Sequence, residues 1–358
     1  MTPTPASFRL SALIGAVGLA LGIWVLGPDR TEASTGPLLV TVITDESDAC
    51  LAIVDKLHDG GTASKSDWER LWSSDGYRRL KRREAAMGRA FEDSTFAAFL
   101  ASDSTRAGAA AFRKTLGEWK EADLSRAGRL ALGYLPAGAT IRAKVYLLIK
   151  PRQNSFVFDQ STDPAIMLYL DPTISRAKFE NTVAHELHHI GYASACSGDV
   201  DTTLSEAVLT CRTWLSAFGE GLAMLAAAGG PGVHPHAVSS TEERARWDRD
   251  MANYPDDFRR VRSFFEDILD GRLADQDSIR AQAMEFFGVQ GPWYTVGYKM
   301  AVTIERTEGR AALIASICDP VELLREYNRA AARSGSPGAP ALPLWPDSFL
   351  DRLGSKRR

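Results

Sequence analysis

The sequence predicts a mostly helical α+β protein, in which a small sheet packs beside one polar helix and helical N- and C-terminal portions enclose a cleft. Three observations predict this class. Strong helix formers with apolar residues at helical spacing fill most of the chain. Only three short segments, 37–44, 139–149 and 165–170, combine β-favouring residues with flanking turn formers. The pentapeptide HELHH, at 185–189, follows the last of these strands.

The N-terminus predicts export. Arg9 precedes an uncharged apolar run, 10–26, and a polar stretch follows it. This layout is typical of a secretory signal peptide within 1–34, with the small-residue site 31–33 as a candidate for cleavage. The run is also just long enough to cross a membrane, so an uncleaved anchor through 10–26 is the alternative. Either outcome places the rest of the chain in the periplasm or outside the cell.

Helical patterns account for most of the remaining chain. The predicted helices outside the pentapeptide region occupy 49–57, 66–89, 95–100, 105–116, 121–135, 241–269, 278–287, 294–306 and 320–332. We therefore expect a helical N-terminal region at 35–136 and a second domain, 137–333, that contains the pentapeptide. A Pro/Gly-rich strap and C-terminal tail, 334–358, complete the chain.

The pentapeptide predicts a metal site on a helix spanning 176–192. Residues four apart lie on one helical face, so His185 and His189 can both reach a single ion. Glu186 then lies beside the pair, where it can deprotonate a metal-bound water. His188 points to another face and is not expected to be a ligand. The alternative interpretation is a solvated helix face with no metal.

A catalytic zinc needs a third protein ligand. The metzincin pattern is excluded because Tyr192 and Ala195 stand where it requires glycine and a ligand. The acidic candidates downstream are Asp199, Asp201, Glu206 and Glu220. Glu220 is favoured because glycines flank it within a predicted helix, 204–228, where they would let a second helix approach the zinc helix closely. An exposed helix charge is the alternative for Glu220.

HELHH followed by the segment GEGLA resembles the gluzincin class of zinc peptidases, whose ligands are two histidines and a glutamate. It is distantly similar to the aminopeptidase N branch, but the interval before Glu220 is longer and the GxMEN motif of that branch is missing. The closer resemblance, over 140–330, is to bacterial zinc-dependent peptidases of unknown function. It implies a zincin-like catalytic domain at 137–333 and one catalytic Zn²⁺ held by His185, His189 and Glu220.

The resemblance extends to a block at 291–301. In the aminopeptidase N branch a similar segment supplies a tyrosine that stabilises the oxyanion. Tyr294 matches that position, although Val296 replaces the family's lysine, and Tyr298 lies one helical turn further on. Either phenol could donate to developing negative charge, or both could be core aromatics. The resemblance also implies that strand 165–170 is a sheet edge that pairs with extended substrate, and a buried strand is the alternative.

Export makes disulfides stable, so the four cysteines become informative. Cys196 and Cys211 flank the segment between the zinc helix and Glu220, and a bond between them would restrain the third ligand. Cys50 would then pair with Cys318. Sequence alone allows other pairings, and free buried cysteines are also an option.

Composition narrows the choice of partners. The net charge of −3 and the pI near 6.1 give no nucleic-acid footprint. A basic run at 78–83 is expected to form a solvated helix face. The favoured function is an exported zinc metallopeptidase acting on peptides or proteins. The alternatives are an exported zinc-binding scaffold without activity and a zinc hydrolase of a non-protein amide or ester.

Overall fold

The computed structural model describes residues 37–58, 60–153, 155–159, 162–196, 203–335 and 341–354. The predicted leader or anchor at 1–34 lies outside these residues, as do Asp199 and Asp201. Among the helices that are described, none combines the length and the apolar character that a membrane crossing requires.

Sixteen α-helices and four strands make up the described part of the chain. The helices are α1 (Asp45–His58), α2 (Lys65–Ser73), α3 (Asp75–Ala86), α4 (Asp93–Leu100), α5 (Asp103–Lys120), α6 (Leu124–Leu132), α7 (Arg176–Ala195), α8 (Glu206–Leu215), α9 (Gly219–Ala228), α10 (Thr241–Ala252), α11 (Tyr254–Leu269), α12 (Gln276–Glu285), α13 (Pro292–Glu308), α14 (Arg310–Ser316), α15 (Pro320–Arg333) and α16 (Asp347–Leu353). The strands are β1 (Leu38–Ile43), β2 (Ile141–Leu148), β3 (Phe156–Phe158) and β4 (Ala165–Tyr169). The predicted class, mostly helical α+β with a small sheet, is confirmed.

The four strands form one sheet in the order β1-β2-β4-β3. Strand β4 runs parallel to β2, with Ile166 opposite Val145, and antiparallel to β3, with Ile166 opposite Val157. Strand β4 and the second half of β2, from Val145 to Leu148, are made of apolar and aromatic residues that are nearly all buried, which suits strands covered on both faces. Because β4 is paired along both sides, the expectation that 165–170 is a free sheet edge is wrong.

Three predicted helices are each interrupted. The segment 66–89 divides at Ser74, where the backbone is extended. The Ser74 hydroxyl accepts from the Tyr77 amide at 3.3 Å and caps a new helix. The segment 241–269 divides at Asn253, and a proline stands in the first turn of α11. The segment 204–228 contains a 3-10 turn, Ser216–Phe218, between α8 and α9.

The chain divides into two compact units. One is built mainly from Thr41–Glu121 and Lys144–Ile174, and the other mainly from Ala122–Ala143 and Ser175–Arg358. In the second unit α7 packs against α6 and α9, and α13 packs against α9, α11 and α15. The histidines of the pentapeptide therefore lie within the helical core of this second unit.

The basic run 78–83 belongs to α3 in the first unit and is only partly solvated. Arg79 and Arg83, one turn apart, are buried. The Arg79 guanidinium lies over the ring of Tyr146 at 5.3 Å, and that of Arg83 lies over Phe156 at 3.8 Å. The prediction of a solvated face therefore holds for Arg78, Lys81 and Arg82, but not for Arg79 and Arg83, which turn toward the core.

The disulfide joins Cys196, at the end of α7, to Cys318, between α14 and α15. The predicted pairing of Cys196 with Cys211 is therefore wrong, and so is the complementary pairing of Cys50 with Cys318. Cys211 is a free buried thiol whose Sγ lies 3.7 Å from the carbonyl oxygen of Phe265. The bond restrains α7 relative to α14 and α15, rather than relative to the helix that carries Glu220.

Cys50 is also a free thiol, buried in the first unit beside a buried carboxyl group. Glu46 accepts from the Ile149 amide at 3.0 Å and from the Cys50 thiol at 3.3 Å. Burial raises the pKa of Glu46 to about 8. The carboxyl group is thus mainly protonated in the folded protein near neutral pH.

Candidate metal centre

Helix α7 presents the pentapeptide on two different faces. The hydroxyl of Ser175 accepts from the Lys178 amide at 3.2 Å and caps the helix. The apolar stripe faces the core and is buried; it consists of Phe179, Val183, Leu187 and Ile190. His185 and His189 lie on the opposite side and keep 17% and 22% of their side-chain exposure. This division follows from the helical period, as predicted.

Glu220 is the acidic residue that meets these histidines. It occupies the first turn of α9, where the positive end of the helix dipole favours a carboxylate. Among the described residues, His185, His189 and Glu220 form a group whose ligand atoms all lie within 4.8 Å of one another. Glu206, the other described candidate, is exposed on α8 and accepts from the Gln276 amide at 3.3 Å.

The three donor atoms have the spacing of a zinc site. The His185 Nε2 lies 3.1 Å from the His189 Nε2 and 3.1 Å from the Glu220 Oε2, and the third side of the triangle is 3.4 Å. Bond lengths of about 2.0–2.1 Å in a tetrahedron give ligand-to-ligand distances of roughly 3.3–3.4 Å. The triangle therefore fits one face of a tetrahedral zinc site and leaves the fourth corner for water or substrate.

The Glu220 carboxylate and the two imidazoles stabilise each other's charged forms. Burial alone would raise the pKa of Glu220, but the two imidazoles hold it below its usual range. Burial alone would lower the pKa of His189, but the Glu220 carboxylate raises it to about 9. A divalent cation supplies the same compensation for the carboxylate and removes the need for a proton on the ring.

Two further residues of the pentapeptide are buried beside the ligands. Glu186 is 8% exposed, and burial raises its pKa against the opposing effect of His185 and His189. His188 is 1% exposed and lies near the backbone of Tyr134; burial lowers its pKa to about 3, so the ring is neutral. His188 faces away from the donor triangle, as expected, but it is a core residue rather than a surface residue.

The two candidate tyrosines occupy different surroundings on α13. The ring of Tyr294 lies nearly parallel to that of His185 with a centroid distance of 6.4 Å, and its hydroxyl lies beside the Glu220 carboxylate. The ring of Tyr298 meets Trp247 edge-on at 5.2 Å. Tyr294 is therefore at the donor triangle, and Tyr298 belongs to a neighbouring aromatic cluster.

Glycines allow α9 and α13 to cross in backbone contact. A Cβ atom at Gly221 would lie 1.9 Å from the Tyr298 amide nitrogen and 2.7 Å from the Tyr294 carbonyl oxygen. A Cβ atom at Gly297 would lie 2.4 Å from the Phe218 carbonyl oxygen. The expected close approach at Gly221 thus exists, but the partner is α13 rather than α7, the helix that carries the histidines. Gly219, on the other side of Glu220, has no neighbour within 4 Å of a Cβ.

Comparison with known proteins identifies the family to which the chain belongs. No curated protein and no solved structure matches the chain. The sequence model of one protein family matches residues 68–336, about three quarters of the chain and all of the donor triangle. The chain therefore belongs to the family described as "putative zinc dependent peptidase (DUF5700)".

Proposed function

We propose that this protein is an exported zinc metallopeptidase of the gluzincin type, which holds one Zn²⁺ through His185, His189 and Glu220. The observation that carries the proposal is the donor triangle, with sides of 3.1, 3.1 and 3.4 Å, beside the buried carboxyl group of Glu186. Two imidazoles and one carboxylate are the ligand set of a catalytic zinc with an open position. Membership of the zinc-peptidase family supports the same conclusion.

Zinc bound at this triangle would polarise the scissile carbonyl and lower the pKa of a water molecule toward ~7. Glu186 accepts the proton of the attacking water and returns it to the nitrogen of the leaving amine. Its burial suits this role, because a carboxylate with a raised pKa is a stronger base than an exposed one. His185 and His189 keep a small exposed fraction, through which a substrate carbonyl can approach.

Tyr294 is the proposed donor to the oxyanion. Its ring lies against His185 and its hydroxyl lies beside Glu220, so the phenol is close enough to the donor triangle to donate to an oxyanion formed there. Tyr298 is the weaker candidate because its ring packs against Trp247.

Export is the second part of the proposal. The apolar run at 10–26 is typical of a leader, and we assign the protein to the periplasm or the extracellular space. The Cys196–Cys318 disulfide supports this location, since such bonds persist in oxidising compartments.

The test combines metal analysis with hydrolysis of a mixed peptide pool. We expect about one zinc per chain in the wild type and in Glu206→Ala, and loss of zinc in Glu220→Ala. We expect Glu186→Gln to retain zinc and to lose activity by a factor of about a thousand or more. Zinc retained in Glu220→Ala at unchanged affinity would remove Glu220 from the site. Full activity in Glu186→Gln would remove the proposed mechanism.

A further inference from the structure

A second polar cluster lies on the same face of α7 as the metal ligands. Lys178, Thr182, His185 and His189 follow one another at intervals of four, three and four residues, which places them in one stripe. All four are partly exposed, whereas the neighbouring apolar positions are buried. At ~1.5 Å per residue, Lys178 lies roughly 10 Å along the helix from His185. The stripe thus connects the donor triangle with a lysine two turns away.

Lys178 is placed where a cation costs stability. Its side chain is only 13% exposed, and burial lowers its pKa. It also stands in the first turn of α7, at the positive end of the helix dipole. The carboxylate of Glu243 is 3.9 Å away and also accepts from the Ser240 amide at the start of α10. Lys178 is thus a largely buried cation at an unfavourable helix end, and functional sites are enriched in such groups.

The groups around Lys178 hold it in position. Its ammonium donates to the Ser239 hydroxyl at 2.9 Å, which leaves further N–H donors on the same nitrogen. Ser239 lies 2.9 Å from the His236 Nδ1, and the His236 Nε2 lies 2.7 Å from the Gln290 amide nitrogen. His236 is itself buried, with 3% of its surface exposed. Burial lowers its pKa to about 3, so it adds no positive charge.

Gln290 is the outermost member of this network and carries two unusual features. Its backbone has a φ of 61°, a left-handed conformation that residues other than glycine rarely adopt. Its Oε1 is buried and makes no hydrogen bond with the described residues. Strained backbone and an unpaired polar atom occurring together are typical of binding sites rather than of structural anchors.

Two aromatic residues of α13 lie between the donor triangle and the cluster around Lys178. Tyr294 lies against His185 at one end. Tyr298, one turn later, meets Trp247, whose ring centroid lies 5.5 Å from that of His236 at the other end. The donor triangle and the Lys178 cluster are therefore two ends of one strip within the second unit.

We infer that Lys178 binds a carboxylate of the peptide substrate, about three residues from the scissile bond. The roughly 10 Å between Lys178 and His185 corresponds to about three extended residues at ~3.3 Å each. The inference rests on the proposed peptidase function and specifies its substrate. The carboxylate is either the C-terminus of a short peptide, which gives an exopeptidase, or an acidic side chain. In both cases Lys178 is a specificity-determining residue.

The test measures binding separately from hydrolysis. Peptides of three to five alanines are titrated by calorimetry into zinc-loaded Glu186→Gln protein. Three forms are compared: the free acid, the C-terminal amide, and the amide with one glutamate at each position in turn. We expect at least one carboxylate-bearing form to bind about tenfold or more tightly than the neutral amide. Added Lys178→Met should reduce that preference to less than about twofold, whereas Lys178→Arg should retain most of it.

Lys299→Met is the matched control, since Lys299 is another half-buried lysine of the same unit with a pKa lowered by burial. It should leave the preference unchanged. A preference for the free acid identifies the C-terminus as the ligand, and a preference for glutamate identifies a side chain; both support the inference. Equal binding of charged and neutral peptides, no binding at all, or an equal loss for both in Lys178→Met would overturn it. Failure of the proposed function has a different result, in which the carboxylate preference is present but zinc-loaded wild-type protein cleaves none of the peptides.

Discussion

Gly221→Ala should be the most damaging single-methyl change beside the metal centre. The added Cβ would lie 1.9 Å from the Tyr298 amide nitrogen, whereas ordinary contacts begin near 3.4 Å. Helices α9 and α13 would therefore have to separate by about 1.5 Å at this point, against rigid backbone on both sides. Overpacking of this kind commonly costs 1–3 kcal/mol, and a backbone clash justifies the upper end, about 3 kcal/mol or more. Because α9 carries Glu220 and α13 carries Tyr294, zinc affinity should fall as well.

Gly219→Ala provides the control on the other side of Glu220. A Cβ there meets nothing within 4 Å, and replacing a helical glycine by alanine removes an entropic cost of up to ~1 kcal/mol. This variant should be as stable as the wild type or slightly more stable. Urea unfolding followed by circular dichroism gives the two free energies, and elemental analysis of the folded fraction gives the zinc content. Equal stability of the two variants would refute the argument that the crossing depends on bare backbone at Gly221.

Three further outcomes are expected. Tyr294→Phe should lower kcat about a hundredfold at unchanged zinc content, whereas Tyr298→Phe should change it less than about threefold; similar losses in both would contradict the assignment of the oxyanion donor. Cys318→Ala, which breaks the bond to Cys196 across 122 residues, should lower the free energy of unfolding by up to about 5 kcal/mol in the chain-entropy model, and a reducing agent should then have no further effect. The folded-state pKa of Glu46 is raised to about 8 from 4.5, so its stabilising contribution is present below pH 4.5 and is lost as the pH rises through 8. This fall in the free energy of unfolding is on the order of 4 kcal/mol, and Glu46→Gln should remove it. Urea unfolding at pH 5 and pH 8.5 measures the fall in both proteins. An equal fall in the variant would show that Glu46 is not its cause.

Local periodicity explains what could be predicted from the sequence. The stripe from Phe179 to Ile190 defines the buried face of α7, and the helical geometry then places His185 and His189 together on the other side. Glu220 is selected from four acidic residues because glycines beside it predict a close helix crossing; the crossing exists at Gly221, but it is with α13 instead of the helix that carries the histidines. These inferences need only spacing along one helix or the size of adjacent residues.

The errors arise where distant parts of the chain decide the outcome. Two consecutive helices that pack on the same core can share one spacing of apolar residues. The apolar spacing therefore continues through Ser74 and Asn253, although a helix ends at each of them. The disulfide between Cys196 and Cys318 depends on a contact between segments far apart in the sequence, which spacing cannot reveal. His236 is buried because Trp247 and Gln290 lie against it, although its own Gly/Pro-rich segment is typical of an exposed loop.

The interior position of β4 has a consequence for where the proposed peptidase would cleave its substrates. A substrate that adds to a free strand can slide by two residues at little cost, because every register offers the same ladder of amide bonds. A substrate bound instead by Lys178 and by the proposed zinc site must have its carboxylate and its scissile bond a fixed distance apart. If the bound carboxylate is the C-terminus, such an enzyme would release fragments of uniform size; if it is an acidic side chain, the enzyme would cut at a fixed distance from each acidic residue.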